Sequence, residues 1–412
     1  MSAVSEAAPT AAAPTAVAEH PLRNANYRKL LIGGTISLLG DQFYFVALPW
    51  LVLQQTGSAV AMGTILMAGA IPRALLMLMG GALTDRISPR KIMIGTASAR
   101  TVCVTLIGLL VWFELLQTWE LYALAIAFGI ADAFAAPAVQ AFLPFLLKRE
   151  QLVAASSVSQ SAAQLTTIVG PTPAGFIIKA LGLAWAFFID AISFLFVIGA
   201  LFQLPDPPLA PASKKGVWHS IKEGIGYVVK DVPLRSMMLL ATGLNFCLAG
   251  PITVGLAYVT KTTFGSAAAL GILLSAVAAG SLAGALLAGI WKIRKRGLMI
   301  LSVSVILAAC LGSIGVLDQL WMIAAILFLM GASAGMVNVN ISAWIMQRID
   351  VTVRGRVSSV LMLASVGLTP VSLAVAGFLI AWNVKAMFLL AAGLMLLVTS
   401  IAAVQKSVRE IA

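Results

Sequence analysis

Apolar residues in this chain come in long blocks rather than in alternation. Runs of about twenty recur from residue 28 to residue 405, each long enough to cross a bilayer. Backbone groups in lipid must be satisfied internally, so such runs are helices or closed-barrel strands. These runs are too long and too uniformly apolar for barrel strands. The pattern predicts an all-α polytopic membrane protein with twelve transmembrane helices. The predicted spans are 28–54, 60–83, 91–113, 119–147, 152–181, 184–204, 234–260, 267–291, 298–317, 320–347, 357–382 and 386–404.

One long hydrophilic interruption, Pro205–Pro233, divides the spans six and six. It predicts two six-helix bundles, 23–204 and 234–412, joined by a linker at 205–233. Residues 1–22 are rich in Ala, Pro and Thr and read as a disordered tail with no signal peptide. A weak internal repeat fits two pseudo-symmetric halves: Gly175-Phe176-Ile177-Ile178 returns as Gly377-Phe378-Leu379-Ile380, each downstream of a proline, Pro171 or Pro370.

Composition agrees, with 60% of the 412 residues hydrophobic and 10% charged. The net charge of +12 could suggest nucleic acid, but its placement excludes that. With the N-terminus inside, the segments on the cytoplasmic side hold 22 Lys and Arg and the opposite side three, with Arg73 and Arg100 inside helices. That asymmetry predicts both termini in the cytoplasm. Cys103, Cys247 and Cys310 lie in apolar runs and read as small core residues. No nucleotide-binding glycine loop, nucleophile–base pair or metal cluster appears, so no enzyme, cofactor or metal is expected.

An ionisable side chain at mid-membrane costs about 2.5–3.5 kcal/mol on the lenient insertion scale. Five such groups therefore stand out: Asp41, Arg73, Arg100, Asp132 and Asp190. Arg73 and Arg100 lie a depth of about 15 Å from the cytoplasmic ends of their helices, close to the level of Asp41. Either Asp41 or Asp132 carries a coupling proton, or these residues form fixed ion pairs such as Asp41 with Arg73 or Arg100. Asp190 sits nearer the outer face, which favours a structural role. The helices of the second half contain no acidic residue. Gly280–Gly284 and Gly331–Gly335 have the spacing of close helix contacts.

The loop Gly80–Lys91, GGALTDRISPRK, sits between the second and third spans and carries Gly81, Asp85, Arg86, Arg90 and Lys91. It resembles the loop signature of the major facilitator superfamily of transporters, with Ser88 and Pro89 where that signature has a glycine. Other segments are similar to the branch of enterobactin-exporter-like and macrolide-efflux-like permeases. They include Gly40-Asp41-Gln42-Phe43, Val169-Gly170-Pro171 with Gly175, Asp190-Ala191-Ile192-Ser193-Phe194 and Arg354-Gly355-Arg356. The resemblance implies a secondary exporter of small hydrophobic or amphiphilic molecules, working by alternating access. It further implies protons as coupling ion, a monomer in the cytoplasmic membrane, and a helix-five signature at Gly170, Pro171 and Gly175. A dedicated siderophore exporter is the alternative. In relatives the first, fourth, seventh and tenth helices line the cavity. That places Gln42, Tyr44, Phe45, Phe128, Phe134, Asn245, Phe246, Asn338, Asn340 and Trp344 as substrate contacts. Ala174 replaces one signature glycine, and the fourth helix lacks the arginine that joins proton binding to transport in many relatives.

Overall fold

The computed structural model describes residues 20–77, 79, 83–84, 86–207, 217–290, 295–349 and 354–409. The expected tail, up to residue 19, and Gly81 and Asp85 of the loop lie outside the described residues. Among the described residues the main helices are, in order, α1 Ala25–Thr56, α2 Ala59–Met77, α3 Pro89–Trp112, α4 Thr118–Leu146, α5 Leu152–Val169, α6 Pro171–Leu181, α7 Leu183–Phe202 and α8 Val217–Lys230. The rest are α9 Val232–Phe264, α10 Ala267–Ile290, α11 Arg296–Ile314, α12 Leu320–Arg348, α13 Arg354–Gly367, α14 Thr369–Trp382, α15 Val384–Val404 and α16 Lys406–Arg409. No strand occurs among the described residues.

Local sequence explains where the helices start, stop and break. Asn24, Asp231 and Asn383 cap α1, α9 and α15 by accepting first-turn N–H groups. Gly57 ends α1 with φ of 63°, a left-handed conformation suited to glycine. Proline cannot donate to the residue four back, and its ring crowds that carbonyl. The long spans yield at such points: α4 hitches at Phe134, just before Pro137, and α5 ends at Gly170, before Pro171. A π-helical stretch Pro251–Gly255 opens within α9, and α13 passes to α14 just ahead of Pro370.

Eleven spans are long and apolar enough to cross a membrane by length and composition among the described residues. The fifth predicted span is absent from that set because it is broken at Gly170 and because α5, LVAASSVSQSAAQLTTIV, is polar. The expected connector contains a helix, α8, which packs on α13 and α9.

The packing between the first six spans and the last six follows the internal repeat. In one contact, α6 lies on α10, with Gly175 over Ala267 and Ala268. In the other, α14 lies on α2, with Gly377 over Ala59 and Gly63. A Cβ added at Gly377 would stand 2.5 Å from the Ala59 carbonyl oxygen, so this approach needs glycine. Gly175 and Gly377 are the repeat-related positions, and α2 and α10 are the second spans of their halves. The two contacts are thus pseudo-symmetric counterparts. Both lie toward the end of the bundle opposite the described chain ends. Lys261, with its Nζ 4.7 Å above the Trp50 ring, adds a third contact there.

Within the second half, α10 and α12 meet backbone to backbone. Gly280 faces Phe328 and Ala332, and Gly331 and Gly335 face Val277 and Ser281. The glycine spacing read from the sequence is a packing device here.

Candidate functional site

Four first-half helices bring four charged side chains together in the middle of the bundle. Arg100 on α3 is buried and pairs with Asp41 on α1. Its other terminal nitrogen, Nη1, lies 3.3 Å from Asp132 Oδ1 on α4. Arg73 on α2 reaches the same carboxylate from the far side, Nε to Oδ2 at 2.9 Å. The order Asp41–Arg100–Asp132–Arg73 therefore runs unbroken from the interior to the edge of an open space. Asp132 is 14% exposed and Arg73 51% exposed. Aromatic rings hold Arg100 in place: its guanidinium carbon is 4.2 Å from the Phe194 ring centre and 5.0 Å from that of Phe128. Phe128 in turn stacks on Tyr44, with centroids 4.2 Å apart.

That open space is a cavity of about 460 Å³ between the two halves. Gln42, Tyr44, Phe45, Arg73, Phe128 and Asp132 line it from the first half. The second half supplies Thr253 of α9, Leu270, Leu274, Val277 and Ala278 of α10, and Thr369 and Leu373 of α14. The wall is mostly apolar, with the Arg73–Asp132 pair as its charged patch. Pro171 also lines it, and Gly170 packs on Gln42, so the expected helix-five signature sits between the cavity and the contact of the halves.

The structure places several expected contacts elsewhere. Phe134 packs in a separate cluster with Leu143 and Leu146. Phe246 packs against the main core, and its carbonyl accepts from Ser372 Oγ at 2.5 Å. Asn340 is buried and turned back on its own helix, donating to the Met336 carbonyl at 2.9 Å. Trp344 is buried under the Arg348 guanidinium. Asn245 and Asn338 are exposed, but neither lines this cavity. The second-half wall comes chiefly from α10 and α14 because the two close contacts hold those helices at the centre. The glycines on α10, and Gly377 paired with Gly175, were the sequence signal for it.

In the loop motif, Arg86 is exposed. Arg90 donates from Nε to the Leu201 carbonyl at 2.7 Å and from Nη2 to that of Phe202 at 3.0 Å, which caps the end of α7. Lys91 Nζ stands 3.9 Å from Asp206, to which Ser88 also donates. The described part of the motif thus ties the start of α3 to the end of α7. Among the described residues no cluster suited to a metal ion occurs.

A helical bundle of two related halves, closed on each other at one end around a charged central cavity, is the architecture of a membrane transporter. The chain belongs to the major facilitator transporters, in the family described as transmembrane secretion effector, which matches residues 16–412. It is 26% identical over 394 residues to an uncharacterised major-facilitator-type transporter, YfiS of Bacillus subtilis, covering 92% of this chain and 93% of that one. It is 24% identical over 283 residues to macrolide efflux protein A of Streptococcus pyogenes, covering 66% and 68% of the two chains. The enterobactin exporter EntS of Escherichia coli is 26% identical over 283 residues, covering 67% and 66%. Among solved structures, the nucleoside transporter NupG superposes with a TM-score of 0.77 at 11% identity, over 92% of this chain and 99% of that one. That last likeness is one of fold.

Proposed function

We propose that this protein is a secondary active exporter of small hydrophobic or amphiphilic molecules, driven by proton antiport across the cytoplasmic membrane. The observation that carries the reading is the central cavity, apolar on most of its wall and joined through Arg73–Asp132 to the buried Arg100–Asp41 pair. An apolar wall with few polar groups suits an amphiphile. Two membrane carboxylates, Asp132 at that wall and Asp41 in the interior, each held by an arginine, suit proton coupling. The distribution of Lys and Arg orients both termini to the cytoplasm. In that orientation the packed contacts of α6 with α10 and α2 with α14 lie on the outer side, so the conformation opens inward. Alternating access then requires those contacts to part as the other end closes. The missing arginine of the fourth helix is replaced in this scheme by Arg73 and Arg100, which reach Asp132 from neighbouring helices. One proton moving down 100 mV supplies about 2.3 kcal/mol, which sustains a concentration ratio of roughly fifty.

The test is transport in proteoliposomes with a panel of lipophilic cations, macrolides and catecholate siderophores. Substrate addition is expected to release protons, and Asp41→Asn is expected to abolish gradient-driven transport while the protein still folds and binds. Full gradient-driven transport by Asp41→Asn would place Asp41 among fixed structural pairs. The likeness to an enterobactin exporter, with the half-exposed Arg73 guanidinium in the cavity wall, favours one dedicated anionic metabolite as a second reading. A response confined to siderophores would select it.

A further inference from the structure

Asp190 on α7 lies behind the chain of ion pairs and is fully buried. Its surroundings differ from those of the other two membrane carboxylates. Asp41 has Arg100, and Asp132 has both Arg73 and Arg100. No cation lies within ion-pair distance of Asp190 among the described residues. Its Oδ2 has no hydrogen-bond partner, and Oδ1 meets only the Ser193 hydroxyl, 3.4 Å away on the same helix. That hydroxyl donates mainly to the Asp190 carbonyl, at 2.7 Å. On the facing helix α1, Gly40 leaves the room that Asp190 and Ser193 fill: a Cβ there would stand 2.8 Å from Asp190 Oδ1.

The titratable and charged groups around it are Asp41 and Tyr44 from α1, Arg100 from α3, with Cys103 beside Tyr44, and Asp132 from α4. Counting the five intramembrane groups as ionised gives three negative charges against two positive, a net charge of −1. A buried uncompensated charge is costly, and a group in that position takes up a proton instead. Of the three carboxylates, the one with no cation and an unused oxygen is Asp190.

We infer that Asp190 is a proton-binding site of this protein, holding one proton in the conformation described here and so neutralising the set Asp41, Arg73, Arg100, Asp132 and Asp190. A neutral carboxyl explains how Asp190 sits fully buried with no counter-ion within ion-pair distance among the described residues. Arg100 supplies the means of release. Its Nε is also buried without a partner, so the guanidinium has an unused donor on the helix that faces Asp190. Movement of Arg100 toward Asp190 gives the ionised carboxylate a partner, and the proton then leaves to solvent through the cavity. Release leaves the set at −1, and rebinding restores it to zero. The inference deepens the proposed proton coupling and rests on that reading for its transport role, while the site itself does not.

The experiment is infrared difference spectroscopy of the purified full-length protein in lipid, titrated around neutral pH and repeated in D₂O, following the stretch of protonated buried carboxyls. The wild type is expected to show such a band at pH 7, absent in Asp190→Asn and reduced in Asp41→Asn, where Asp132 and an ionised Asp190 together balance Arg73 and Arg100. Ser193→Ala, which removes the one nearby hydroxyl without touching the charge, is expected to shift the band, and this variant serves if Asp190→Asn does not fold. A band that survives Asp190→Asn, a band unmoved by Ser193→Ala, or no band in the wild type would each overturn the assignment. Proteoliposome transport separates the two readings. Wild-type protein that moves no substrate when a proton gradient is imposed defeats the antiport proposal and leaves the spectroscopic assignment intact. Gradient-driven transport that is equal in wild type and Asp190→Asn defeats the role of Asp190 in coupling and leaves the antiport proposal standing. The expected result is loss of gradient-driven transport in Asp190→Asn with substrate exchange at equal pH retained.

Discussion

The two halves of the bundle share a fold and differ in what holds their centres. The first half places Asp41, Arg100, Asp132 and Arg73 in one linked set across α1, α3, α4 and α2, with Asp190 behind it on α7. The membrane helices of the second half contain no acidic residue. Its centre is made by close backbone contact, Gly280 and Gly331 between α10 and α12, and by Ser372 on α14, which accepts from the Gly250 N–H at 2.8 Å. A hydroxyl and close glycine contacts do there what charge does in the first half. The difference teaches a division of labour. Charges can titrate and move, whereas a glycine contact is fixed by shape. In the proposed coupling one half changes its protonation while the other serves as a stiff counterpart, and the two part at the Gly175 and Gly377 contacts that they share.

The largest effect expected on this comparison comes from removing the cation that serves two carboxylates. Arg100→Leu leaves Asp41 buried without a partner, and breaking a buried pair in this way costs about 3–5 kcal/mol. Thermal unfolding in detergent should show it as a large loss of stability or of recoverable protein. Arg100→Leu with Asp41→Leu should recover most of it, because no orphaned charge remains. If the single variant were as stable as wild type, charge would not be what holds the first half. The second half should answer to shape instead. At Gly331 a side chain would run into the Val277 backbone, so Gly331→Leu is expected to cost about 1–3 kcal/mol in the same assay. Gly34→Leu on α1, where nothing lies within 4 Å, should stay within about 0.5 kcal/mol. Equal losses at Gly331 and Gly34 would remove the argument that close contact is specific to α10 and α12.

Much of this was legible in the sequence, because length and charge are one-dimensional quantities. A span needs about 20 apolar residues, and the depth of a charge follows from its distance to the helix end. Those two facts put Asp41 and Arg100 at one level before any fold was drawn. They did not give the rotation of each helix about its own axis. A soluble helix shows its buried face by polarity, but here lipid and protein interior are both apolar, so α9 and α12 carry little such signal. Phe246, Asn340 and Trp344 were therefore assigned to a cavity that they do not line. The same limit hid Asp190. Its position along α7 was clear, but its alignment with Gly40 and Asp41 depends on how far α7 is shifted against α1. Gly40, next to Asp41, was the residue that marked the contact. The polarity of α5 was visible too, in a span broken before Pro171 whose second part, α6, meets the other half of the protein.

The smallest expected effect sharpens the comparison from outside the membrane core. A charged pair joins Arg348, at the end of α12, to Asp231, which caps the start of α9, with Nε to Oδ2 at 2.9 Å. Arg348 is 38% exposed, so the pair resembles a surface ion pair rather than the buried Arg100–Asp41 contact. Arg348→Gln should then cost about 0–1 kcal/mol, shrinking further at high salt. Asp231 has a second task, since its Oδ1 accepts from the Leu234 N–H at 3.0 Å and caps α9. Asp231→Ala should lose that cap as well, about 1 kcal/mol more, and salt should not erase that part because a cap bond is local and short. Asp231→Asn keeps an accepting oxygen and should fall near Arg348→Gln. Unfolding of the three variants at low and high salt checks the order. If Arg348→Gln proved as damaging as Arg100→Leu, charge would anchor both halves, and the contrast between a half held by charge and one held by shape would fail.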